Sequence, residues 1–314
     1  TLFDIFKMIK ELSYESVDLA VNSFAEKKAM FLGLNLDPLA PAYMQLSNYL
    51  SKKIKATPRK VTISKKFKIP ADYLVGYKNL LNKIKIGQDI NLYLSKGIEN
   101  PIFSDRFLDD YGCVHFHLGS TLENGYVKRT GPVALAFVTD QEIFFIETKF
   151  HGKDYPYTWT DKSVLEILHE EKPHFIARNK VSTLKDISPS ISNAETIKNL
   201  RSNGYGFGVT LNDGTVYMPS KFGPVSVKTS NKKKYSTLAS EHLLWMMHST
   251  REIYFLINKY VKDFKLKNNC TITKIEILDL VSDNHNPLKI NQCDIQIHYL
   301  KEFSISIHKN SFYR

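Results

Sequence analysis

Cysteine is scarce in this chain: Cys113, Cys270 and Cys293 are the three in 314 residues. They are odd in number, widely spaced and form no CxxC pair. That excludes a disulfide frame or a zinc knuckle and fits reduced thiols in a cytosolic protein. No window approaches eighteen consecutive apolar residues, and the start, TLFDIFKMIKEL, scatters charges where a signal peptide would place a basic region before an apolar run. The expectation is a cytoplasmic protein with no membrane partner. HExxH and DxD motifs are missing, no paired acidic motif supports a metal site, Ser120 in HLGST has no nucleophile elbow, and Cys113 opens a strand with no evident catalytic partner. GYGFGV departs from the Gly-rich phosphate fingerprints and leads into a hairpin instead of a helix. Internal repeats and low-complexity segments are also lacking. Acid is absent from one long stretch: of the seventeen residues from Lys52 to Lys68, eight are basic and none acidic.

What is present is ample apolar material, 43% hydrophobic and 12% aromatic, enough for one large domain or two ordinary ones. The formal net charge of +11 favours a polyanionic partner, such as RNA, DNA or a phosphorylated ligand. Codon bias of an AT-rich genome supplies part of such a lysine excess, so placement matters more than total.

Apolar spacing of three and four predicts helices in FDIFKMIKEL, SVDLAVNSFAEKKAMFLGL and PAYMQLSNYLSKKI. The basic stretch follows, with Val61, Ile63, Phe67 and Ile69 on one parity and lysines on the other, the pattern of a half-buried strand. ADYLVGYKNLLNKIKIG is a helix stopped at Gly87, and SDRFLDDYG is a short one with Ser104 as N-cap and Gly112 as stop. VHFHL, PVALAFV and QEIFFIETKFH form an antiparallel meander whose last hairpin turns at Thr139-Asp140-Gln141. DKSVLEILHEE is helical. A second unit begins near residue 187 with SPSISNAETIKNLRSNG, then a hairpin at Asp213-Gly214, a basic loop or edge strand in KFGPVSVKTSNKKKY, a long helix over 238–264 and three strands. The fold class is α+β: a central antiparallel sheet with a helical N-terminal part in 1–185, and a smaller α+β unit in 186–314.

The meander carries the chemistry. His115 and His117 share a strand face, and Glu147, Lys149 and His151 share a parity with Ile143 and Phe145 in the third strand. Lys128 and Arg129 lie in the first connection. If the faces coincide, the set offers a base, an acid and a cation, which is what metal-free RNA cleavage needs. The bland reading is three half-exposed or core-bonded histidines. A metal completed by Glu147, His151 or Asp110 is the weaker reading, because the surrounding charge is positive. His169 and His174 read as structural, His248 as buried and satisfied. Tyr73 and Tyr77 suit base stacking or packing equally.

The run KRTGPVALAFVTDQEIFFIETKFHG resembles the core hairpin of RelE and HigB-type RNase toxins, and DINLYLS, FSDRFLDDYGCVHFHLG and YTWTDKSVLEILHEE resemble an uncharacterised group of bacterial proteins. The first resemblance implies cleavage residues at the charged sheet ends, here Lys128, Arg129, Lys149 and His151. The leading expectation is a metal-independent, RelE-like ribonuclease, a growth-inhibiting or phage-defence effector, with His115, His117, His151, Lys149, Arg129 and Lys128 in catalysis. Lys60, Lys66, Lys68, Lys232 and Lys233 would hold the nucleic acid. This reading calls for no metal and no cofactor. RNA or another nucleic acid is the expected partner, with an inhibitor protein as a further one. The alternative is a non-catalytic nucleic-acid-binding or protein-interaction subunit of a bacterial or phage system.

Overall fold

The computed structural model describes residues 12–185, 188–203, 205–219, 224–230, 235–283, 287–299 and 301–308. The helix expected in FDIFKMIKEL lies, but for Leu12, outside them. The chain is α+β and divides into two compact units, residues 48–241 and residues 1–47 with 242–314. This division differs from the expected boundary near residue 185. Ile197, Phe207, Val209, Leu211 and Tyr217 pack into the core around Val133 and Leu135, so burial ties 194–217 to the meander. No described helix is long and apolar enough to cross a membrane.

In the middle unit, β1 (Lys60–Ile63), β2 (Cys113–His117), β5 (Pro132–Val138) and β6 (Glu142–Phe150) form one sheet in the order β1-β6-β5-β2. β3 (Leu122–Glu123) and β4 (Tyr126–Val127) make a small hairpin in the β2–β5 connection. The meander is antiparallel as expected, but β1 runs parallel to β6, so the sheet is mixed. The alternation expected through Ile69 ends at Ile63, because Ser64 to Lys66 turn the chain and leave Ile63 exposed. β7 (Lys180–Lys185), β8 (Val209–Thr210) and β9 (Thr215–Tyr217) form a second sheet, with the Asp213-Gly214 turn between β8 and β9 and Gly214 at φ +82°. β10 (Pro224–Lys228) and β11 (Tyr235–Ala239) pair as a hairpin.

One face of the main sheet buries Val114, Phe116, Ala134, Ala136, Ile143 and Phe145 against Leu80 and Ile84 of the helix Leu74–Ile86. That helix comes so near β2 that a Cβ on Gly76 would lie 2.0 Å from the Leu118 carbonyl oxygen; only glycine fits. The helix stops at Gly87 in the left-handed region, as its sequence suggests. The other face buries Cys113, Val133, Leu135, Phe144 and Ile146 against the helix Ser163–Glu171, whose Val164, Leu165, Ile167 and Leu168 form its apolar stripe.

The outer unit holds the helix Tyr14–Phe31, most of the helix Ala42–Ser51 and most of Ser240–Asn268. Its antiparallel sheet is formed by β12 (Lys274–Ser282), β13 (Ile290–Tyr299) and β14 (Lys301–His308). Fully buried Tyr43 donates to the Leu288 carbonyl at 2.9 Å, Thr250 donates to Asp18, and Ser47 and His242 share a 2.9 Å hydrogen bond.

Candidate functional site

Strand register decides which side chains can meet. His115 lies opposite Leu135 and His117 opposite Val133; on the next strand Leu135 faces Glu147 and Val133 faces Lys149. A register shift then intervenes, since Ala136 pairs with Phe145 and leaves Ile146 as an extra residue. This β-bulge changes the expected parity. Ile143 and Phe145 point into the core beside the helix Leu74–Ile86, whereas Glu147 and Lys149 emerge on the histidine face. Strict alternation had put all four on one side.

The three histidines converge. Ring centroids are 5.8 Å apart for His115 and His117, 5.4 Å for His117 and His151, and 6.3 Å for His115 and His151. Trp159 packs on the group, 4.7 Å from His115 and 5.8 Å from His151. The rings are not equivalent. His117 is buried, its Nδ1 accepts a 3.4 Å bond from the Thr130 N–H, and its Nε2 makes no hydrogen bond. Burial, then His115, His151 and Arg129, lower its pKa to about 3. His115 is lowered to about 4 by burial, His151 and Arg129; its Nδ1 makes no hydrogen bond and lies 3.8 Å from Asp105 Oδ2. His151 is half-buried at the strand end. Its Nε2 meets the Thr130 carbonyl at 3.1 Å, which puts the neutral ring's proton on Nε2 and leaves Nδ1 as the acceptor. Burial lowers its pKa and Arg129 adds to this, against the opposing Thr130 bond.

His115 and His151 line a cleft of about 420 Å³ in the middle unit, with Arg129, Trp159, Lys198 and Asp105. Asp105 caps the helix Arg106–Tyr111 by accepting from the Leu108 N–H at 3.3 Å, the role the sequence had suggested for Ser104, and burial raises its pKa. Ser104 instead donates to Asp109, whose pKa burial pushes up to about 7. Arg201, also on the cleft wall, is spent on structure: it pairs with Asp110 at 2.5 Å and donates to the Trp159 carbonyl. Arg129 and Lys198 are exposed and form no ion pair among the described residues. They are the cations available to an anion in the cleft.

The other described residues expected at the site lie elsewhere. Lys149 does not line the cleft. It is held by Asp161, by Glu147 at 3.2 Å and by Ser163 at 2.7 Å, so its charge is already neutralised. Lys128 also lies off the cleft, exposed and 3.6 Å from Glu123. Lys60, Lys66 and Lys68 are exposed around β1, but the acid-free stretch is not a uniform cationic face. Lys52 is buried, donating to the Asn100 and Phe103 carbonyls, and burial lowers its pKa to about 8. Arg59 is buried too, with three backbone carbonyls as partners. Lys232 and Lys233 lie outside the described residues.

Tyr77 packs between Phe67 and Phe145, and burial raises its pKa to about 12, so it is a packing residue, not an exposed stacking platform. His169 is bonded by Tyr217 and Asp213 in a structural role. His174 lies in a 3-10 helix, and His248 is exposed and paired with Glu252 instead of buried. Among the described residues no group of three His, Cys, Asp or Glu side chains is arranged to hold a metal ion. Sequence reasoning missed Asp105, Trp159 and Lys198. Trp159, in YTWT just after His151, was within reach of a signal; Lys198 was assigned to another unit. No protein-family model, curated protein or solved structure matches the chain.

Proposed function

We propose that the histidine cleft is the active site of a metal-independent ribonuclease, as the RelE-like reading of the sequence implied. The observation that carries the reading is the convergence of His115 and His151 on one cleft beside two cations that form no ion pair among the described residues, Arg129 and Lys198. His151 Nδ1 takes the proton of a ribose 2′-hydroxyl while its Nε2–H stays fixed on the Thr130 carbonyl. The 2′-oxygen attacks phosphorus, and the 5′-oxygen leaves with a proton from the Asp105–His115 pair. Burial raises the pKa of Asp105 and lowers that of His115, which favours a proton held on the carboxyl beside a neutral imidazole. Arg129 and Lys198 neutralise charge building on the phosphoryl oxygens. The products are a 2′,3′-cyclic phosphate and a free 5′-hydroxyl. His117, off the cleft wall, positions Thr130 and through it His151.

A non-catalytic binding subunit is the second reading. It is favoured by His117, whose burial and bond to a backbone N–H are what a structural histidine shows. The experiment is cleavage of single-stranded RNA with EDTA present. Cyclic-phosphate ends that accumulate without a divalent ion support the ribonuclease. RNA that is bound and left intact supports the binding subunit, and cleavage restored only by a divalent ion overturns the metal-free mechanism.

A further inference from the structure

We propose that the aromatic loop leaving the histidine strand is a base-stacking platform, which makes single-stranded nucleic acid, and not duplex, the ligand of this cleft. The proposal deepens the reading above but depends on it only for what becomes of the phosphate. From His151 to Trp159 the chain reads HGKDYPYTW. Three aromatic side chains of this region have large surfaces in solvent: Phe150 is 46% exposed, Tyr155 48% and Tyr157 39%. None of the three belongs to the cores on either side of the sheet.

Their arrangement favours a planar ligand. Phe150 and Tyr155 stack at 5.4 Å with 25° between the rings, a nearly parallel pair that a base can extend. The Lys198 ammonium lies 5.3 Å from the Tyr157 ring, placing a phosphate partner next to a stacking face. Pro156, between the two tyrosines, lines the cleft together with His151 and Trp159, so the loop is at once cleft wall and aromatic surface. Charge agrees: Arg129, Lys153 and Lys198 are exposed, and Asp154 is the single acid between His151 and Trp159. A strand with its phosphate between Arg129 and Lys198 would have flanking bases within reach of these rings. Bases in a duplex are already stacked on their neighbours and offer no free face, whereas unpaired bases do.

The test measures binding to the full-length chain carrying His151→Ala, in EDTA, so that the RNA stays intact. The probes are a short RNA strand, a DNA strand of the same sequence, the corresponding duplex, and a strand with abasic sites that keeps its phosphates. Both intact single strands should bind about tenfold or more tightly than the duplex. Tyr155→Leu and Tyr157→Leu, which keep apolar bulk but remove the ring, should each weaken that binding about tenfold, and Tyr→Phe at either position should not. The abasic strand should bind weakly and be indifferent to all four substitutions. Equal affinity for the duplex overturns the proposal, as does unchanged binding by the leucine variants or an equal loss on the abasic strand. If the unsubstituted chain binds with this pattern yet cleaves nothing, the ribonuclease reading fails alone. If it cleaves RNA and the leucine variants bind and cleave as it does, the platform fails alone.

Discussion

The two faces of the β2–β5–β6 meander come from the same three strands and could hardly differ more. One is apolar throughout, with Phe116, Ala134, Ala136 and Phe145 closed under a helix. The other is apolar around Leu135 and Ile146 and then turns to imidazole and ionic groups toward the His117, Lys149 and His151 end. The difference teaches where a sheet can carry titratable groups. They sit where the covering helix Ser163–Glu171 gives way to a cleft, and a bulge delivers Glu147 and Lys149 to that side without removing Phe145 from the core. The closed face supplies rigidity and the open end supplies access.

The comparison can be broken first with acid. His115 and His117 have folded-state pKa values of about 4 and about 3, below the ordinary 6.5. Above pH 6.5 both are neutral whether folded or unfolded, and they add no pH dependence. As pH falls from 6.5 to about 4 the unfolded chain binds protons that the folded chain refuses, so stability falls, and it levels off below the folded values. At about 1.4 kcal/mol per unit of separation for each group, the effect amounts to several kcal/mol. Asp105, Asp109 and Asp110, whose pKa values burial raises, act in the opposite sense. The comparison is therefore made against a His115→Gln/His117→Gln variant by urea unfolding at several pH values. The two stability curves should separate below pH 6.5; parallel curves would show that the rings are not desolvated.

On the closed face, Phe116→Ala should cost about 3–5 kcal/mol, because it empties a fully buried site between sheet and helix. His151→Ala, at the open end, should cost less than about 1 kcal/mol and slow RNA cleavage roughly 10²-fold. Measuring midpoint and rate on both variants sharpens the contrast, and an unfolded His151→Ala chain would make that histidine structural. The smallest effect is expected farthest from the cleft. Replacing Lys60, Lys66 and Lys68 by Glu should lower nucleic-acid affinity modestly and reduce its salt slope by at most about 3, with the fold intact. An unchanged slope returns those lysines to the role of a solvated surface.

Much of the frame was legible because it is local. Among the described residues, apolar periods marked the helices and the meander, Gly87 and Gly112 marked helix stops, and Thr139-Asp140-Gln141 marked a hairpin. That His115 and His117 share a face followed from parity, but that the end of β6 joins them rests on the bulge at Ile146. What was illegible depends on contacts distant in sequence. Nothing in IFFIETK announces that Ile146 will bulge, since its neighbours are equally apolar. Lysines of the acid-free stretch look alike as letters, yet Lys52 is buried on carbonyls while Lys60 is in water. Lys198 reaches the cleft because its helix buries Ile197 against the sheet, a pairing that local pattern does not encode.

The hydrogen bond between Ser47 and His242 joins the residue where the chain leaves the outer unit to the one where it returns. In sequence, residues 48–241 are thus an insertion between two parts of the outer unit. During synthesis the inserted unit, histidines included, is complete once Glu241 clears the ribosome, while the outer unit still waits for the long helix and three strands that follow. The order of folding is therefore inside first: the chain would assemble its cleft before the outer unit is complete.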